Sequence, residues 1–199
     1  MIRIGQIGVG AWGKNLLRNF ATLGDCQVVA CSDLDSGVLE RVENTYPHIR
    51  VSPDPLEVIK NPEVQAVVVA TPAPTHYRLA KQALQVGKDV FVEKPLTLSL
   101  KDAEDLVDTA ERQGRILMVG HLMEYHPALV QLKQYIDEGQ LGEVYYIYST
   151  RVNLGKIRKD ENALWSFAPH DISMALYLLG EEPKRVAAVG QYYLQVGVE

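Results

Sequence analysis

Lys94 occupies a position where a lysine could do acid–base chemistry. It lies between Glu93 and Pro95 in the segment FVEKPLTL (Phe91–Leu98), in which a short apolar run ends in charged residues. A lysine at the end of a strand is often only a solvated surface residue, and the proline then simply stops strand pairing. The alternative is that Lys94 faces a cofactor cleft and moves a proton there. The rest of the sequence decides between these two interpretations.

A histidine in the segment LWSFAPHDIS (Leu164–Ser173) is a second group that could carry a proton. His170 stands at the predicted start of an amphipathic helix, with Ile172, Ala175 and Leu176 behind it. Histidine is the usual proton carrier near neutral pH, although a lone histidine at a helix start more often bonds only the local backbone. His170 is therefore a candidate only in combination with other features.

The first predicted strand runs into a glycine turn with the spacing G-x-G-x-x-G. Between a strand and a helix, this spacing is typical of dinucleotide sites: the glycines permit the tight turn, the backbone's approach to a pyrophosphate, and close helix packing. The free N–H groups of the following helix favour bound phosphate. The residues of this turn predicted to bind the cofactor are Gly8, Gly10, Ala11, Trp12 and Gly13.

Asp33 indicates which dinucleotide binds. It follows the second predicted strand, 20 residues after Gly13, close to the spacing expected of an acidic residue that accepts the adenosine ribose hydroxyls. Its carboxylate would repel a 2′-phosphate, so the sequence favours NAD over NADP.

The elements that must position these residues alternate between strand and helix over the first 120 residues. Ala66–Ala70 (AVVVA) suits a strand buried on both faces of a parallel sheet. This alternation predicts an α/β fold with a Rossmann-type, doubly wound parallel sheet. Thr71 and Pro72 follow one predicted strand, and His76 begins the next helix as a structural or cofactor-edge contact. His121 follows another strand, at the edge where such sheets bind ligands, or is a packing residue.

The pattern changes after Gly120, and we place a domain boundary there. Residues 1–120 are predicted to be an NAD-binding domain and residues 121–199 a partial C-terminal substrate and oligomerisation domain. Val144–Val152 (VYYIYSTRV) predicts a long strand, Ala168–Leu179 a helix and Arg185–Val196 an extended segment. Because the second part has few strands and stops in mid-pattern, we expect the chain to be the N-terminal portion of a longer protein.

The composition narrows the classes of partner. The chain has 199 residues, 47% hydrophobic and 23% charged, which is typical of a globular protein. A net charge of −5 gives no electrostatic reason to expect nucleic acid or an anionic membrane. With no long apolar run, no signal peptide and two cysteines outside any metal or redox spacing, we expect a cytoplasmic protein. Five scattered histidines predict no metal site.

Together these motifs resemble those of the Gfo/Idh/MocA family of nicotinamide-dependent sugar and cyclitol oxidoreductases. The stretch TPAPTHYRLAKQALQVGKDVFVEKPL (Thr71–Leu96) carries the likeness, with the glycine turn before it, and the likeness extends to at least Leu179. The resemblance implies a dinucleotide-binding domain followed by an α/β domain built on a large, open, mostly antiparallel sheet. Substrate would lie between them, and the full-length protein would be a homo-oligomer.

The resemblance also assigns roles to residues. It implies that Lys94 lies beside the nicotinamide and the carbinol being oxidised, that His170 is its acid–base partner, and that a cis peptide precedes Pro95. Oxidation of an alcohol moves a hydride to the nicotinamide and a proton to a base, so Lys94 is either that base or a donor that polarises the oxygen. The further cofactor contacts expected are Thr71, Pro72, His76, Glu93, Lys94 and His121.

Residues 149–173 resemble more narrowly the branch of this family that oxidises the 3-hydroxyl of nucleotide-activated amino sugars such as UDP-N-acetylglucosamine. Basic residues in this stretch could meet a diphosphate, or could form a solvated basic loop; they are Arg151, Lys156, Arg158 and Lys159. Asn153 and Trp165 could bind hydroxyls and stack on a ring. The predicted substrate contacts are Lys94, Tyr125, Arg151, Asn153, Arg158, Trp165 and His170.

Three alternatives remain. The corresponding uronate, UDP-N-acetylglucosaminuronate, is the nearest competing substrate. Inositol is disfavoured, because many relatives carry an aspartate four residues before the histidine, where this chain has Ser166. In a different class, a non-catalytic NAD(H)-binding protein would keep the glycine turn without turnover. The presence of both Lys94 and His170 favours a dehydrogenase acting on CH–OH groups.

Overall fold

The computed structural model describes residues 1–152 and 162–191, and it divides the chain into two compact units, Met1–Gly120 and His121–Glu199. In the described residues of the first unit, six strands alternate with five helices. The strands are β1 (Ile2–Ile7), β2 (Cys26–Ser32), β3 (Arg50–Ser52), β4 (Ala66–Val69), β5 (Asp89–Val92) and β6 (Leu117–Val119). The helices are α1 (Gly13–Thr22), α2 (Ser36–Thr45), α3 (Pro55–Lys60), α4 (His76–Gln85) and α5 (Leu100–Gln113).

All described strands pair in parallel, in the order β3-β2-β1-β4-β5-β6. In the central register Ile2 of β1 lies beside Cys26 of β2, and Ile4 lies beside Ala66 of β4. The chain order reverses between β1 and β4, which is where an open parallel sheet forms a crevice at the carboxyl ends of its strands. The predicted α/β Rossmann-type sheet is confirmed.

Helices pack on both faces of the sheet. Because successive residues of a strand point to opposite faces, a single strand contributes side chains to both packed layers. Val67 and Val69 of β4 join the cluster that holds Leu84 of α4 and Leu106 of α5. Val68, between them, joins the opposite cluster with Leu17 of α1. A strand sandwiched in this way has to be apolar on both sides, which accounts for the run AVVVA.

Side-chain caps fix where the helices near the site begin. Asp35 accepts the N–H groups of Gly37 and Val38 at the start of α2. Ser99 caps α5 by accepting from the N–H of Asp102, and that helix ends at Gly114, whose φ is +59°. Short polar acceptors at the first position and a left-handed glycine at the end are the usual helix boundaries.

In the described residues of the second unit, the regular structure is helical. A short 3₁₀ turn spans Leu122–Tyr125, followed by α6 (Pro127–Asp137) and α7 (Ala163–Leu179). The prediction for α7 placed its start five residues too late. Asn162 accepts the N–H of Trp165 at 3.0 Å and starts the helix there. His170 consequently lies inside the helix, directly after Pro169, and not at its start as predicted.

The strand predicted for Val144–Val152 is wrong: no β-pairing is described for residues 142–152. A strand exists only where a neighbour accepts its backbone hydrogen bonds, and Tyr145, Tyr146 and Tyr148 are more than 80% exposed. Residues 185–191, the described part of the predicted segment Arg185–Val196, are likewise outside any strand, and residues 192–196 lie outside the described residues. The antiparallel sheet of this unit stays a prediction.

None of the described helices is long and apolar enough to cross a lipid bilayer.

Candidate cofactor and active site

The glycine turn lies at the carboxyl edge of β1, in the crevice beside β4. Gly8 has φ +90°, and a Cβ there would lie 2.6 Å from the carbonyl oxygen of Ala70 at the end of β4. A Cβ on Gly13 would lie 2.3 Å from the carbonyl oxygen of Gly8, so the turn closes only with glycine at both positions. A Cβ on Gly10, by contrast, would meet no atom within 4 Å. The open side of the turn at Gly10 therefore fits the approach of a pyrophosphate to the backbone.

Gln6 supports the glycine turn from inside the sheet, a role that was not predicted from the sequence. Its side chain is fully buried, and Nε2 donates to the carbonyl oxygens of Gly8 at 2.9 Å and Gly13 at 2.8 Å. Its Oε1 is buried without a hydrogen-bond partner among the described residues. The signal was a single amide inside the apolar strand IRIGQI, since a polar residue in a doubly covered strand requires a reason.

Asp33 joins the end of β2 to the same turn. Its Oδ2 accepts the N–H of Val9 at 2.7 Å, and its Oδ1 accepts the N–H of Asp35 at 3.0 Å. Each carboxylate oxygen can accept a further hydrogen bond. Asp33 therefore both shapes the turn and retains acceptor capacity for ribose hydroxyls.

A hydrogen bond between two predicted site residues links the glycine turn to the end of β5. The indole Nε1 of Trp12 donates to Oε1 of Glu93 at 2.9 Å. Glu93 is only 8% exposed, and burial raises the pKa of its carboxyl, opposed by the bond from Trp12. A Cβ on Gly120 would lie 3.1 Å from the same oxygen, so glycine leaves room for this carboxylate.

Lys94 follows Glu93 in the turn after β5, and its peptide bond to Pro95 is cis, as expected. Lys94 is half-buried and Pro95 is buried. The N–H of Glu93 bonds the carbonyl of Val69 at 2.9 Å, which extends the β4–β5 pairing up to the lysine. The tertiary fold thus brings the Glu93–Pro95 segment and the glycine turn to one edge of the sheet.

The Thr71–His76 segment completes this edge after β4. The hydroxyls of Thr71 and Thr75 lie 2.6 Å apart, and Pro72 precedes a 3₁₀ turn over Ala73–Thr75. His76, the first residue of α4, is 1% exposed, and both of its ring nitrogens contact backbone carbonyl oxygens.

The predicted residues of the second unit lie on its 3₁₀ turn and on α7. His121 precedes the 3₁₀ turn, and its Nδ1 is buried without a hydrogen-bond partner among the described residues. Tyr125, the last residue of that turn, is 68% exposed. Trp165 and His170 lie on α7, with Ser166 one helical turn before the histidine. Lys94 and His170 belong to different units, and their pairing stays a prediction.

Arg151 binds a carboxylate of its own unit. Its Nε donates to Asp171 Oδ2 at 2.9 Å, its Nη2 donates to Oδ1 at 3.2 Å, and the hydroxyl of Ser149 donates to the same Oδ1. The guanidinium lowers the pKa of the Asp171 carboxyl. This bidentate ion pair neutralises the Arg151 guanidinium, which was predicted to bind a diphosphate.

Part of the segment predicted to meet the substrate lies outside the described residues. Asn153, Lys156, Arg158 and Lys159 lie outside the described residues. Among the residues that are described, no group of three or more histidine, cysteine, aspartate or glutamate side chains could hold a metal ion.

Comparison with known proteins identifies the class that this fold and site define. Residues 2–121 match the family model described as the oxidoreductase family with an NAD-binding Rossmann fold, and residues 129–199 match the GFO/IDH/MocA C-terminal domain. The chain belongs to the Gfo/Idh/MocA oxidoreductase family, and NAD is the cofactor of its Rossmann fold.

Two curated relatives and one solved structure illustrate the likeness. The scyllo-inositol 2-dehydrogenase (NAD(+)) of Bacillus subtilis (strain 168) is 32% identical over 196 residues, or 96% of this chain and 57% of the relative. The UDP-N-acetylglucosamine 3-dehydrogenase of Acidithiobacillus ferrooxidans is 31% identical over 190 residues, or 95% and 58%. A protein from Magnetospirillum magnetotacticum MS-1 is 35% identical with a TM-score of 0.84, over 92% of this chain and 58% of that one. The chain thus spans a little over half the length of these relatives.

Proposed function

We propose that this protein is an NAD-dependent dehydrogenase that oxidises a sugar hydroxyl, and specifically the 3-hydroxyl of UDP-N-acetylglucosamine to the 3-keto sugar. The observation that carries the enzymatic part is the Glu93–Lys94–Pro95 turn at the carboxyl edge of the sheet, joined to the glycine turn by the bond between Trp12 and Glu93. A lysine held at the cofactor edge could exchange a proton or a hydrogen bond with the alcohol oxygen during oxidation, whereas a solvated surface lysine could not.

Each group has a distinct role in this proposal. Bound NAD would supply the acceptor for the hydride that leaves the carbinol carbon. The turn Gly8–Gly13 and Asp33 bind its pyrophosphate and adenosine ribose, and Gln6 holds the carbonyls of that turn. Lys94 takes the proton from the carbinol oxygen, or donates a hydrogen bond to it, and His170 serves as the second acid–base group. Buried Glu93 fixes the backbone ahead of Lys94 through Trp12.

The substrate assignment rests on likeness and on one side chain. A relative with the UDP-N-acetylglucosamine 3-dehydrogenase name and one with an inositol dehydrogenase name are nearly equally identical to this chain. Ser166 lies one turn of α7 before His170, where the resemblance to inositol dehydrogenases would require an aspartate. A serine hydroxyl cannot orient or charge-balance the imidazole as a carboxylate does, and this favours the nucleotide sugar. Inositol is the second candidate, because of the relative from Bacillus subtilis.

The test is NADH formation with UDP-N-acetylglucosamine, with an aminotransferase and glutamate present to remove the 3-keto product. The matching uronate and inositol, as both its scyllo and myo isomers, are run beside it. Turnover with UDP-N-acetylglucosamine alone is expected. Turnover with only one of the others would replace the substrate and leave the dehydrogenase assignment in place. No turnover with any of the three, together with measurable NAD binding, would refute the substrate assignment and favour either another sugar or the non-catalytic NAD(H)-binding alternative.

Lys94→Ala tests the role of the lysine. Removal of a general base or an oxygen-polarising donor should lower kcat by about 10²–10⁴-fold and leave the Kd for NAD nearly unchanged. Lys101→Ala is the matched control, since Lys101 is an exposed lysine on α5 and its loss should leave kcat unchanged. A Lys94→Ala variant with the kcat of the unaltered protein would refute the catalytic role.

A further inference from the structure

His76 is the buried imidazole of the first unit. It is 1% exposed, and it stands at the first position of α4. Its Nδ1 lies 2.8 Å from the carbonyl oxygen of Pro95, and its Nε2 lies 2.7 Å from the carbonyl oxygen of Thr71. The ring therefore bridges the loop after β4 and the loop after β5. With both nitrogens engaged by the backbone, the ring offers no nitrogen for a direct bond to the cofactor.

The chemistry of the two contacts decides what the ring can hold in place. A carbonyl oxygen only accepts hydrogen bonds, so each short contact is a hydrogen bond only where the facing ring nitrogen carries a proton. A neutral ring carries one proton, on either nitrogen. The tautomer thus determines which of the two loops the imidazole holds by a hydrogen bond.

The carbonyl of Pro95 is the more consequential partner, because Pro95 is bonded directly to Lys94. On the other side of the lysine, the N–H of Glu93 bonds the carbonyl of Val69 at 2.9 Å. Lys94 thus lies between a backbone group held by the sheet and one held by His76. A displacement of about 1 Å at a reacting group can lower a rate by about 10²-fold.

We propose that His76 is a positioning residue: it donates from Nδ1 to the carbonyl of Pro95 and thereby sets the place of the Lys94 backbone at the cofactor edge. The inference rests on the proposed function for the role of Lys94. Of the two roles expected for His76 from the sequence, a structural contact or a cofactor-edge contact, the inference adopts the structural one.

The first experiment needs no turnover. In protein with ¹⁵N-labelled histidine, the ring nitrogen shifts of His76 identify which nitrogen carries the proton, with His76→Asn used to assign the signals. A proton on Nδ1 is expected. A ring protonated only at Nε2 would overturn the proposal, even for a protein that oxidises none of the three substrates.

The second experiment separates the two contacts by mutation. The side-chain amide nitrogen of asparagine can take the place of Nδ1, and that of glutamine the place of Nε2. His76→Asn should therefore keep the bond to Pro95 and retain kcat within about fivefold, while His76→Gln should lose that bond and lower kcat by about 10–10²-fold. Both should bind NAD with similar Kd.

Tyr77→Phe is the matched control. Tyr77 is the next residue on α4, and its hydroxyl bonds Asp105 of α5, which has no part in the site. Its loss should leave kcat unchanged. Equal kcat for the asparagine and glutamine variants, or losses of kcat that only follow their loss of stability, would overturn the proposal.

A third measurement keeps the inference separate from the proposed function. The rate at which a small acylating reagent modifies Lys94, followed by peptide mass spectrometry, reports the surroundings of the amine without any substrate. The rate should change in His76→Gln and stay unchanged in His76→Asn and Tyr77→Phe. An unchanged rate in His76→Gln would contradict the positioning role. If the acylation rate of Lys94 changes in His76→Gln but the protein shows no turnover, the positioning role of His76 is supported and only the proposed function is refuted.

Discussion

At the scale of single residues, the candidate site is built mainly by polar side chains that bond the backbone. Gln6 holds the carbonyls of Gly8 and Gly13, Asp33 holds the N–H of Val9, and His76 reaches two loop carbonyls. Buried polar atoms are almost always hydrogen-bonded. Apart from the unpartnered Oε1 of Gln6 and one of the two ring nitrogens of a neutral His76, the polar atoms of these side chains meet that requirement, and their bonds shape the loops that are proposed to receive the cofactor.

Glu93 gives a prediction about pH. Because burial raises the pKa of its carboxyl, its ionisation in the folded protein costs free energy, and stability is lost as pH rises from the unfolded pKa through the folded one. Glu93→Gln removes this titration and keeps an oxygen for the Trp12 bond. The free energy of unfolding of Glu93→Gln, minus that of the unaltered protein, should therefore rise as pH increases above about 4.3, the usual glutamate pKa.

Denaturant unfolding at several pH values between acid and neutral checks this prediction. Trp12→Phe is the informative companion, because it removes the Nε1 donor that opposes the rise of the Glu93 pKa. The total loss of stability of Trp12→Phe as pH rises should therefore be larger than that of the unaltered protein. A stability difference between Glu93→Gln and the unaltered protein that is constant with pH would rule out the buried titration.

At the scale of elements, helix boundaries were predictable where a capping residue and the apolar periodicity agreed. Ser99, a polar cap, and Gly114, a left-handed glycine, bracket the apolar periodicity of α5. The start of α7 was misplaced: the helix begins before Pro169 and contains it, although proline is favoured at the first turn of a helix and disfavoured inside one. The cap at Asn162 was the better signal, since its side chain satisfies an N–H of the first turn.

The ion pair between Arg151 and Asp171 joins residues 149–151 to α7, and its contribution to stability can be predicted. The pKa of Asp171 is lowered, so the pair stabilises the fold above the unfolded pKa of aspartate and the stabilisation is lost as pH falls through the folded value. Both side chains are partly solvated, so Arg151→Ala should cost no more than about 1 kcal/mol at neutral pH.

Unfolding of Arg151→Ala at neutral pH and at pH values well below about 3.9, the usual aspartate pKa, tests this pair, since the pKa of Asp171 is lowered and the cost should disappear only as that carboxyl becomes protonated. Ser149→Ala is the control, because it removes only the hydroxyl bond to the same carboxylate and should show a smaller effect. A cost that persists unchanged in acid would show that Arg151 acts through packing.

At the scale of the whole molecule, the two units differ in how many of their described apolar side chains are buried. Both apolar clusters around the sheet are made of residues from the first unit. In the described part of the second unit, Leu129 and Leu178 are the buried apolar residues, while Tyr145, Tyr146 and Tyr148 are almost fully exposed. The first unit is therefore expected to resist opening better than the second.

Limited proteolysis of the 199-residue chain with chymotrypsin checks this expectation. Cleavage should occur first after Tyr145, Tyr146 or Tyr148 and should leave a lasting fragment that contains Met1–Gly120. Tyr46 and Tyr77 are the internal controls, because both are partly buried within the first unit. Intact-mass analysis identifies the fragments. Early cleavage at Tyr46 or Tyr77 would contradict the predicted difference between the units.

The sequence by itself determined the parallel sheet, the glycine turn with Asp33, and the Glu93–Lys94–Pro95 segment, because these depend on local spacing and on the alternation of apolar residues. Only the tertiary structure decided which side chains meet. Trp12 and Glu93 are 81 residues apart, Pro95 lies 19 residues from His76, and Asp171 lies 20 residues from Arg151. A hydrogen bond requires two atoms within about 3 Å, and only the pairing order of the strands and the packing of the helices bring such distant residues together.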